Sequence, residues 1–301
     1  MINFRYHVVS IIAIFLALGF GLLFGVTFLD ESVVESLERQ QKRLGERNEQ
    51  LHKDNGRLEE QLEKMIAFAD SSLPLIVRGS LRDRVAVVIT FEDSKESVVE
   101  NTIAALGAAG AQVDSVVSLS QNLDMSTDER RRQAAVIAET ASADNAVVKD
   151  ALASRTAAAL AGTAPGFLQR MADNGAASIG EVQGVPGKPL RELAQPGSAI
   201  VIVQPEDPQE DLEQNFLLPV LRKLSEAQAV CAVVEESNEQ RPFLSLIRGD
   251  GTLRIVTVDG LESSVGRAGL SLGLEAAFAG RFGHYGFGEG ATSVLPEQPA
   301  T

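Results

Sequence analysis

A run of 22 uncharged residues near the start of the chain, from Val8 to Leu29, constrains the fold more than any other feature. A helix rises about 1.5 Å per residue, so this run would extend about 33 Å, enough to cross the roughly 30 Å apolar core of a bilayer. A buried helix of a soluble protein rarely stays uncharged for so long, and the apolar core of a cleaved signal peptide has only about 7–15 residues. We therefore predict that residues 1–29 form a cytoplasmic stub and a transmembrane anchor in a lipid bilayer.

The charges that flank this run set its predicted orientation. Arg5 and the amino terminus lie before it, whereas Asp30, Glu31 and Glu35 follow it. Because positively charged flanks stay in the cytoplasm, we expect a single-pass protein of the cell membrane with a cytoplasmic N-terminus and the rest of the chain in the extracytoplasmic envelope space. The formal net charge of −14 argues against a nucleic-acid partner, which would require a basic face.

Two glycines within the apolar run, Gly21 and Gly25, are four residues apart. This spacing lets two membrane helices approach closely, so both glycines are candidates for a dimer interface. The alternative is the ordinary glycine content of a membrane span, but the segment that follows favours the dimer.

Residues 30–70 carry a heptad repeat with an apolar d series and an a series in which three consecutive positions are polar. The d positions are Leu37, Leu44, Leu51, Leu58 and Met65, and the a positions are Val34, Gln41, Asn48, Asn55 and Leu62. Leucine at d with asparagine at a favours a parallel two-stranded coiled coil, because facing asparagines can hydrogen-bond in only one register. We predict a stem that forms a parallel homodimer through these residues. The alternative is a single amphipathic helix that packs on the chain's own head domain.

From residue 71 the pattern changes to short β-branched runs separated by helical stretches. The predicted strands are residues 84–90, 112–119, 199–203, 230–234 and 253–258. Apolar runs without alternation suit strands covered on both faces, and the alternation of strands and helices predicts an α/β fold with a doubly wound, mainly parallel sheet. This extracytoplasmic head is expected to occupy residues 71–290, followed by a disordered tail at residues 291–301.

Four helical stretches and one long loop complete the predicted head. The helices are expected at residues 97–109, 126–174, 207–227 and 263–280. The second opens with Ser126-Thr127-Asp128-Glu129, which has the sequence of a capping box. Residues 181–197 are rich in proline and glycine and are predicted to form a loop.

Acidic side chains follow the predicted strands where ligands bind in a doubly wound sheet. They are Glu92, Asp93, Glu206, Asp207, Glu235, Glu236 and Asp259. No glycine-rich turn joins the first strand to its helix, so a phosphate-binding fingerprint is absent and clustered carboxylates would repel phosphate. This acidic edge could attract a cation or a basic partner. Its alternative role is helix capping and solvated loop ends.

Residues suited to catalysis or metal binding are scarce. The head contains one cysteine, Cys231, inside an apolar strand, which predicts a buried side chain rather than a reactive thiolate. Its single histidine, His284, lies in a glycine-rich segment after the last helix, where a structural loop is favoured over a ligand site. Both residues are only weak candidates for metal binding, and we predict a protein that is not an enzyme and requires no cofactor.

Motifs at both ends of the chain resemble the actinobacterial mycobacterial copper transport protein B (MctB) family. The first is the opening segment Met1 to Ser10, which runs directly into the apolar span. The others are Thr257-Val258-Asp259, the segment from Gly266 to Leu272, and the segment from Gly283 to Gly288. The order of anchor, coiled coil and α/β head is also similar.

The resemblance implies an actinobacterial cell-envelope protein of copper efflux or copper homeostasis, with copper as a possible ligand. Copper(I) prefers soft ligands, yet the head offers only Met125, Met171, Cys231 and His284, scattered in sequence. A dimer supplies two membrane helices, too few to enclose a water-filled channel, so we expect a component of a complex. The alternative implied by the resemblance is a scaffold like the family's corynebacterial SteB, which acts with a SteA-like inner-membrane partner to control a peptidoglycan hydrolase of the cell wall in cell separation.

Overall fold

The computed structural model describes residues 4–27, 31–142, 144–164, 166–193, 195–207, 209–237 and 242–297. The chain divides into two units, Met1–Met65 and Ile66–Thr301. Two parts of the sequence predictions lie outside the described residues. They are Asp30, one of the charges used to predict the membrane orientation, and residues 298–301 of the predicted tail.

The first unit is helical. Helix α1 spans Phe4–Thr27, and helix α2, Glu31–Ile76, begins in this unit and ends in the second. The segment Phe4–Gly25 has a mean hydropathy of 2.6 and none of it is buried, so it is long and apolar enough to cross a membrane. Helix α2 continues beyond residue 70, the predicted end of the stem.

The second unit alternates strands and helices. Its strands are β1 Val85–Phe91, β2 Gln112–Leu119, β3 Ala177–Gly180, β4 Ala199–Val203, β5 Cys231–Val234, β6 Val256–Val258 and β7 His284–Tyr285. Its further helices are α3 Glu96–Ala108, α4 Asp128–Ile137, α5 Asn145–Leu160, α6 Gly166–Asp173, α7 Glu210–Leu212, α8 Leu218–Glu226, α9 Pro242–Gly249 and α10 Ser264–Phe278. A π-helical turn, Glu213–Leu217, joins α7 to α8.

The strands form one sheet in the order β3-β2-β1-β4-β5-β6-β7. Only β3 runs antiparallel, against β2, and the remaining pairs are parallel. The predicted mainly parallel α/β fold is therefore confirmed for the described residues, and two of the predicted strands, β2 and β4, match residue for residue.

Side chains of successive strand residues enter two separate apolar cores, one on each face of the sheet. In β1, Val87 and Ile89 pack with α5, α6 and α8 on one face, while Ala86 and Val88 pack with α3 and α10 on the other. Burial on both faces explains why the strands are continuously apolar.

Several boundaries differ from those predicted. The long helical insertion forms three helices, and Thr127 rather than Ser126 caps α4 by accepting a hydrogen bond from the backbone N–H of Arg130. Helix α7 begins at Glu210, three residues after Asp207. In the predicted tail, the N–H of Thr292 donates to the carbonyl of His284 at 2.8 Å, which places this residue against β7. The disorder of the tail stays a prediction.

Candidate functional site

The carboxyl ends of β1 and β4 form the switch point of the sheet, where doubly wound folds bind their ligands. Here the two loops at this point are joined to each other. The N–H of Glu206 donates to the carbonyl of Asp93 at 3.0 Å, and Gln209 Nε2 donates to Asp93 Oδ2 at 2.8 Å. Ser94 Oγ donates to the carbonyl of Val203 at 3.4 Å. These contacts link the loop after β1 to the end of β4 and the loop that follows it.

A lysine of the chain itself pairs with the acidic edge. Lys95 Nζ lies 2.8 and 2.6 Å from the two carboxylate oxygens of Glu236. The hydrogen bond to Glu236 raises the pKa of Lys95, and the charges of Glu206 and Glu262 raise it further. Part of the negative charge at this edge is therefore offset internally.

The remaining members of the acidic edge differ in their exposure. Three of them are exposed side chains at loop ends: Glu92, Glu206 and Asp207. Glu235 is buried at the end of β5. The seven carboxylates thus do not form one open cluster, although the parallel strands bring them to the same edge of the sheet.

Asp259 does not belong to an exposed edge, contrary to the sequence-based expectation. Its side chain is 4% exposed, and its Oδ2 lies 2.7 Å from Arg248 Nη2. The backbone N–H groups of Phe287 and Gly288 donate to its carboxylate at 2.8 and 3.0 Å. Asp259 therefore holds the glycine-rich segment that follows β7, which folds back over the end of β6.

Arg248, Thr257, Asp259 and Tyr285 form a buried group that we call the closing cluster. Arg248 donates from Nε to Thr257 Oγ1 at 3.0 Å and from Nη2 to the carbonyl of Tyr285 at 3.1 Å. Its Nη1 donates to the carbonyl of Glu289 at 3.0 Å. A buried guanidinium is costly unless its charge and its donors are satisfied, and here a counter-charge and four hydrogen bonds serve four of its five N–H donors.

Glycines allow the chain to approach this cluster closely. Gly286 has φ +126°, and a Cβ there would collide with the carboxylate of Asp259. A Cβ on Gly273 of α10 would lie 2.9 Å from the ring of Tyr285. Both positions require glycine for packing, so Gly286 of the last motif and Gly273, directly after the motif in α10, are structural.

His284 lies half-buried beside the cluster, with Nδ1 3.0 Å from Thr257 Oγ1. Thr257 Oγ1 accepts a hydrogen bond from Arg248 Nε, so its own proton is available for the imidazole. Burial lowers the pKa of His284, and the charge of Arg248 lowers it further. This environment favours a neutral histidine with a structural role.

Three of the four soft donor residues are in the core. Cys231 is completely buried in β5, as the sequence predicts, and burial raises the pKa of its thiol. Met125 and Met171 are 2% and 0% exposed. Within the described ranges, no group of three or more histidine, cysteine, aspartate or glutamate side chains is arranged to hold a metal ion.

The a and d side chains of α2 form a continuous exposed stripe. The exposed apolar members are Val34, Leu37, Leu44, Leu51, Leu58, Leu62 and Met65, and Asn48 and Asn55 lie on the same stripe. In α1, a Cβ on Gly21 or Gly25 would meet no atom within 4 Å. The dimer interface assigned to these residues stays a prediction.

The last turns of α2 and the residue directly after them contact the rest of the second unit through side chains that the sequence analysis did not identify. Leu73 and Val77 are 7% and 0% exposed, in the core shared with α10. Arg267 Nη2 donates to Asp70 Oδ1 at 2.6 Å, and Ser264 also hydrogen-bonds this carboxylate. Spacing alone does not reveal this pair, since almost two hundred residues separate its members.

The C-terminal motifs singled out in the sequence meet in one region. Thr257 and Asp259 come from β6 and its end, the segment from Gly266 lies in α10, and the segment from Gly283 includes β7. Helix α10 packs on β6 and on the ring of Tyr285 through its glycines, and Asp259 at the end of β6 binds Arg248.

Comparison with known proteins finds similarity along nearly the whole chain. The chain matches the family described as "Copper transport outer membrane protein, MctB" over residues 1–296. Proteins named "Copper transporter MctB" from Mycobacterium bovis and from two strains of Mycobacterium tuberculosis are 23% identical to it over 314 aligned residues, which cover 99% of this chain and 100% of each relative. The chain therefore belongs to the MctB family of copper transport proteins.

Proposed function

We propose that this protein is a single-pass, non-enzymatic envelope protein of copper homeostasis that acts as a dimeric component of a complex. Family membership supports a role in copper transport or homeostasis. The finer proposal rests on one observation: the part of the chain that the structure describes combines one helix of membrane length with an open-edged α/β sheet covered by helices. We expect the N-terminus in the cytoplasm and the head in the envelope space.

This architecture argues against a channel formed by the chain alone. In a bilayer, every backbone polar group must be satisfied within the protein, so spanning structures are helix bundles or closed barrels. Two copies of α1 would not enclose a water-filled path. The buried thiol of Cys231 and the buried thioethers of Met125 and Met171 also could not pass copper along the surface of the head.

The exposed stripe on α2 supports the dimer. Leu44, Leu51 and Leu58 are each more than half exposed and would be solvated if this helix remained alone. Burying such side chains in a coiled-coil seam stabilises by about 25 cal/mol per Å² of apolar surface removed from water. The asparagines of the stripe would favour the parallel register at a cost in stability.

Genetic complementation tests the proposal. A deletion strain should be copper-sensitive, and the wild-type gene should restore tolerance. Cys231→Ala should also restore it, because this thiol is inaccessible. Leu44→Lys combined with Leu51→Lys should fail to restore it at equal protein abundance. A deletion strain as tolerant as its parent would contradict a role in copper homeostasis.

A copper titration of the full chain in lipid nanodiscs tests whether the chain itself binds copper, which the proposal does not expect. With a copper(I) chelator as competitor, we expect no site tighter than roughly micromolar, which corresponds to about 8 kcal/mol of binding free energy. A tighter stoichiometric site would show that the chain itself binds copper and would contradict this expectation.

The second candidate is a SteB-like scaffold for cell separation, favoured by the contact between Asp70 and Arg267. This ion pair and the buried side chains of Leu73 and Val77 fix the end of α2 to the α/β core. A fixed attachment of this kind is what a scaffold needs in order to hold a partner protein in a defined position. Deletion should then give chained cells, and affinity capture should recover a SteA-like inner-membrane partner together with a cell-wall hydrolase. Normal septation in a copper-sensitive deletion strain would exclude this candidate.

A further inference from the structure

The last turns of α2 carry large apolar side chains that the core of the second unit does not cover. Phe68 and Leu75 are 73% and 68% exposed, and Ile76, next to Leu75, is 52% exposed. Successive residues of a helix are about 100° apart around its axis, so Phe68 and Leu75, seven residues apart, lie on one face. A group of exposed apolar side chains of this size is typical of a surface that binds another molecule.

The opposite face of the same turns is bound to the chain's own α/β core. Leu73 is 7% exposed and belongs to the apolar core that includes α3 and α10. Arg267 Nη2 of α10 donates to Asp70 Oδ1 at 2.6 Å. Helices α3 and α10 form one layer, in which Ser271 Oγ donates to the carbonyl of Ala105 at 3.1 Å. By the helical period, Leu73 and Asp70 lie about 140–160° around the axis from the two exposed side chains, which therefore face away from this attachment.

The heptad register of the stem assigns each of these faces to one flank of a dimer seam. Continued from Met65 at d, the register puts Phe68 and Leu75 at g. It puts Leu73 at e and Asp70 at b. In a parallel two-stranded coiled coil, the g residues of one helix lie beside the e residues of the other. The face that holds one copy's head and the exposed g face of the other copy therefore lie on the same side of the seam.

The other heptad positions of these turns allow two helices to approach each other. Ala69 at a and Ser72 at d have small side chains and are partly exposed. Pro74, which has no backbone N–H to donate, falls at f, on the outer side of the helix away from the seam. The seam can therefore continue along the turns that carry the exposed g residues.

We propose that Phe68 and Leu75 of each copy pack on the partner copy's head, against the layer formed by its α3 and α10. The occupant of this surface is thus a second copy of the chain. The inference rests on the dimer of the proposed function and adds a second contact to the stripe on α2. This contact offsets the cost of the polar a positions in the stem and fixes each head against both helices.

Photo-crosslinking tests which surface Phe68 meets. The residue is replaced by p-benzoylphenylalanine in the full chain, and copies with light and heavy nitrogen are mixed in detergent before reconstitution into lipid nanodiscs. Mass spectrometry then recognises links between copies, which we expect in α3, Glu96–Ala108, or α10, Ser264–Phe278. The matched control is the same probe at Ala67, an exposed residue at an outer f position, which should give no link between copies. Links from residue 68 within one copy only, or to lipid only, would overturn the proposal.

A disulfide in the seam separates failure of this contact from failure of the dimer. The only natural cysteine, Cys231, is completely buried, so Leu58→Cys at a d position supplies a single accessible thiol. Oxidation should join two copies through it, because d residues of a parallel coiled coil face each other. A disulfide-linked dimer without links from residue 68 to the partner's head would overturn the head contact and leave the dimer standing. Failure of both links would overturn the head contact together with the dimer.

Truncation of the exposed side chains measures how much the contact contributes. Phe68→Ala combined with Leu75→Ala should raise the dissociation constant of the dimer at least tenfold, measured in detergent by energy transfer between labelled copies on dilution. Val136→Ala shortens a 65% exposed side chain of α4 and should leave the constant unchanged. All three side chains are exposed, so the variants should fold, which circular dichroism checks. An unchanged dissociation constant for the double variant would overturn the proposal.

Discussion

Arg248 and Asp259 form an ion pair of 2.7 Å whose two side chains are only 2% and 4% exposed. The arginine comes from α9 and the aspartate from the end of β6, and the pair is completed by backbone groups of the segment after β7. The C-terminal glycine-rich segment is therefore ordered by a buried charge, not by apolar packing alone. Four predictions test this region and the dimer.

The first concerns the ion pair. Asp259→Asn should lower the free energy of unfolding by about 3–5 kcal/mol, because it leaves the buried guanidinium of Arg248 without a counter-charge. Arg248→Met should have a similar effect. The double variant should lose clearly less than the sum of the single losses, since neither charge is then left alone. Urea unfolding followed by circular dichroism measures this, and strictly additive losses would show that the pair is not coupled.

The second concerns the turn beneath Asp259. Gly286→Ala should destabilise by more than the roughly 1–3 kcal/mol of an unfavourable backbone conformation, because its Cβ would also displace the carboxylate of Asp259. Gly251→Ala is the matched control, since a Cβ there meets nothing within 4 Å. The same unfolding assay compares the two, and equal stability of both variants would contradict the described packing.

The third concerns pH. Burial and the charge of Arg248 lower the pKa of His284 in the folded chain below its ordinary value of 6.5, so the unfolded chain binds the proton more readily. The contribution of His284 to stability is therefore complete above pH 6.5 and falls as the pH drops below that value.

His284→Gln keeps a side chain able to accept the hydrogen bond from Thr257 but cannot titrate. Its free energy of unfolding should consequently decrease less than that of the wild type between neutral pH and pH 5. Urea unfolding at a series of pH values gives both slopes. A steeper slope for the variant would mean that the folded chain stabilises the protonated imidazole instead.

Features that depend on neighbouring residues could be predicted from the sequence, whereas contacts between residues far apart in the chain could not. Strands β2 and β4 were predicted residue for residue because both faces are buried, which makes their sequences continuously apolar. Strand β7 has two residues and β3 has four, including a glycine, so neither carries a recognisable pattern.

The site was less predictable. Because Asp259 follows a strand, the sequence grouped it with the other acidic residues. Its role, however, depends on its contacts with Arg248 and with the segment after β7, which is distant in sequence. The contact between Asp70 and Arg267 could not be predicted from the spacing of residues in the sequence either. Burial of Cys231, by contrast, followed directly from its apolar neighbours in β5.

Light scattering of the full chain in detergent, corrected for the bound detergent, tests the proposed dimer most directly. We predict a dimer for the wild type and a monomer for Leu44→Lys combined with Leu51→Lys, which places two charges in the seam. Glu46→Lys adds the same positive charge at an outward heptad position and should remain a dimer. A monomeric wild type, or a double variant that stays dimeric, would contradict a dimer held together by the α2 stripe.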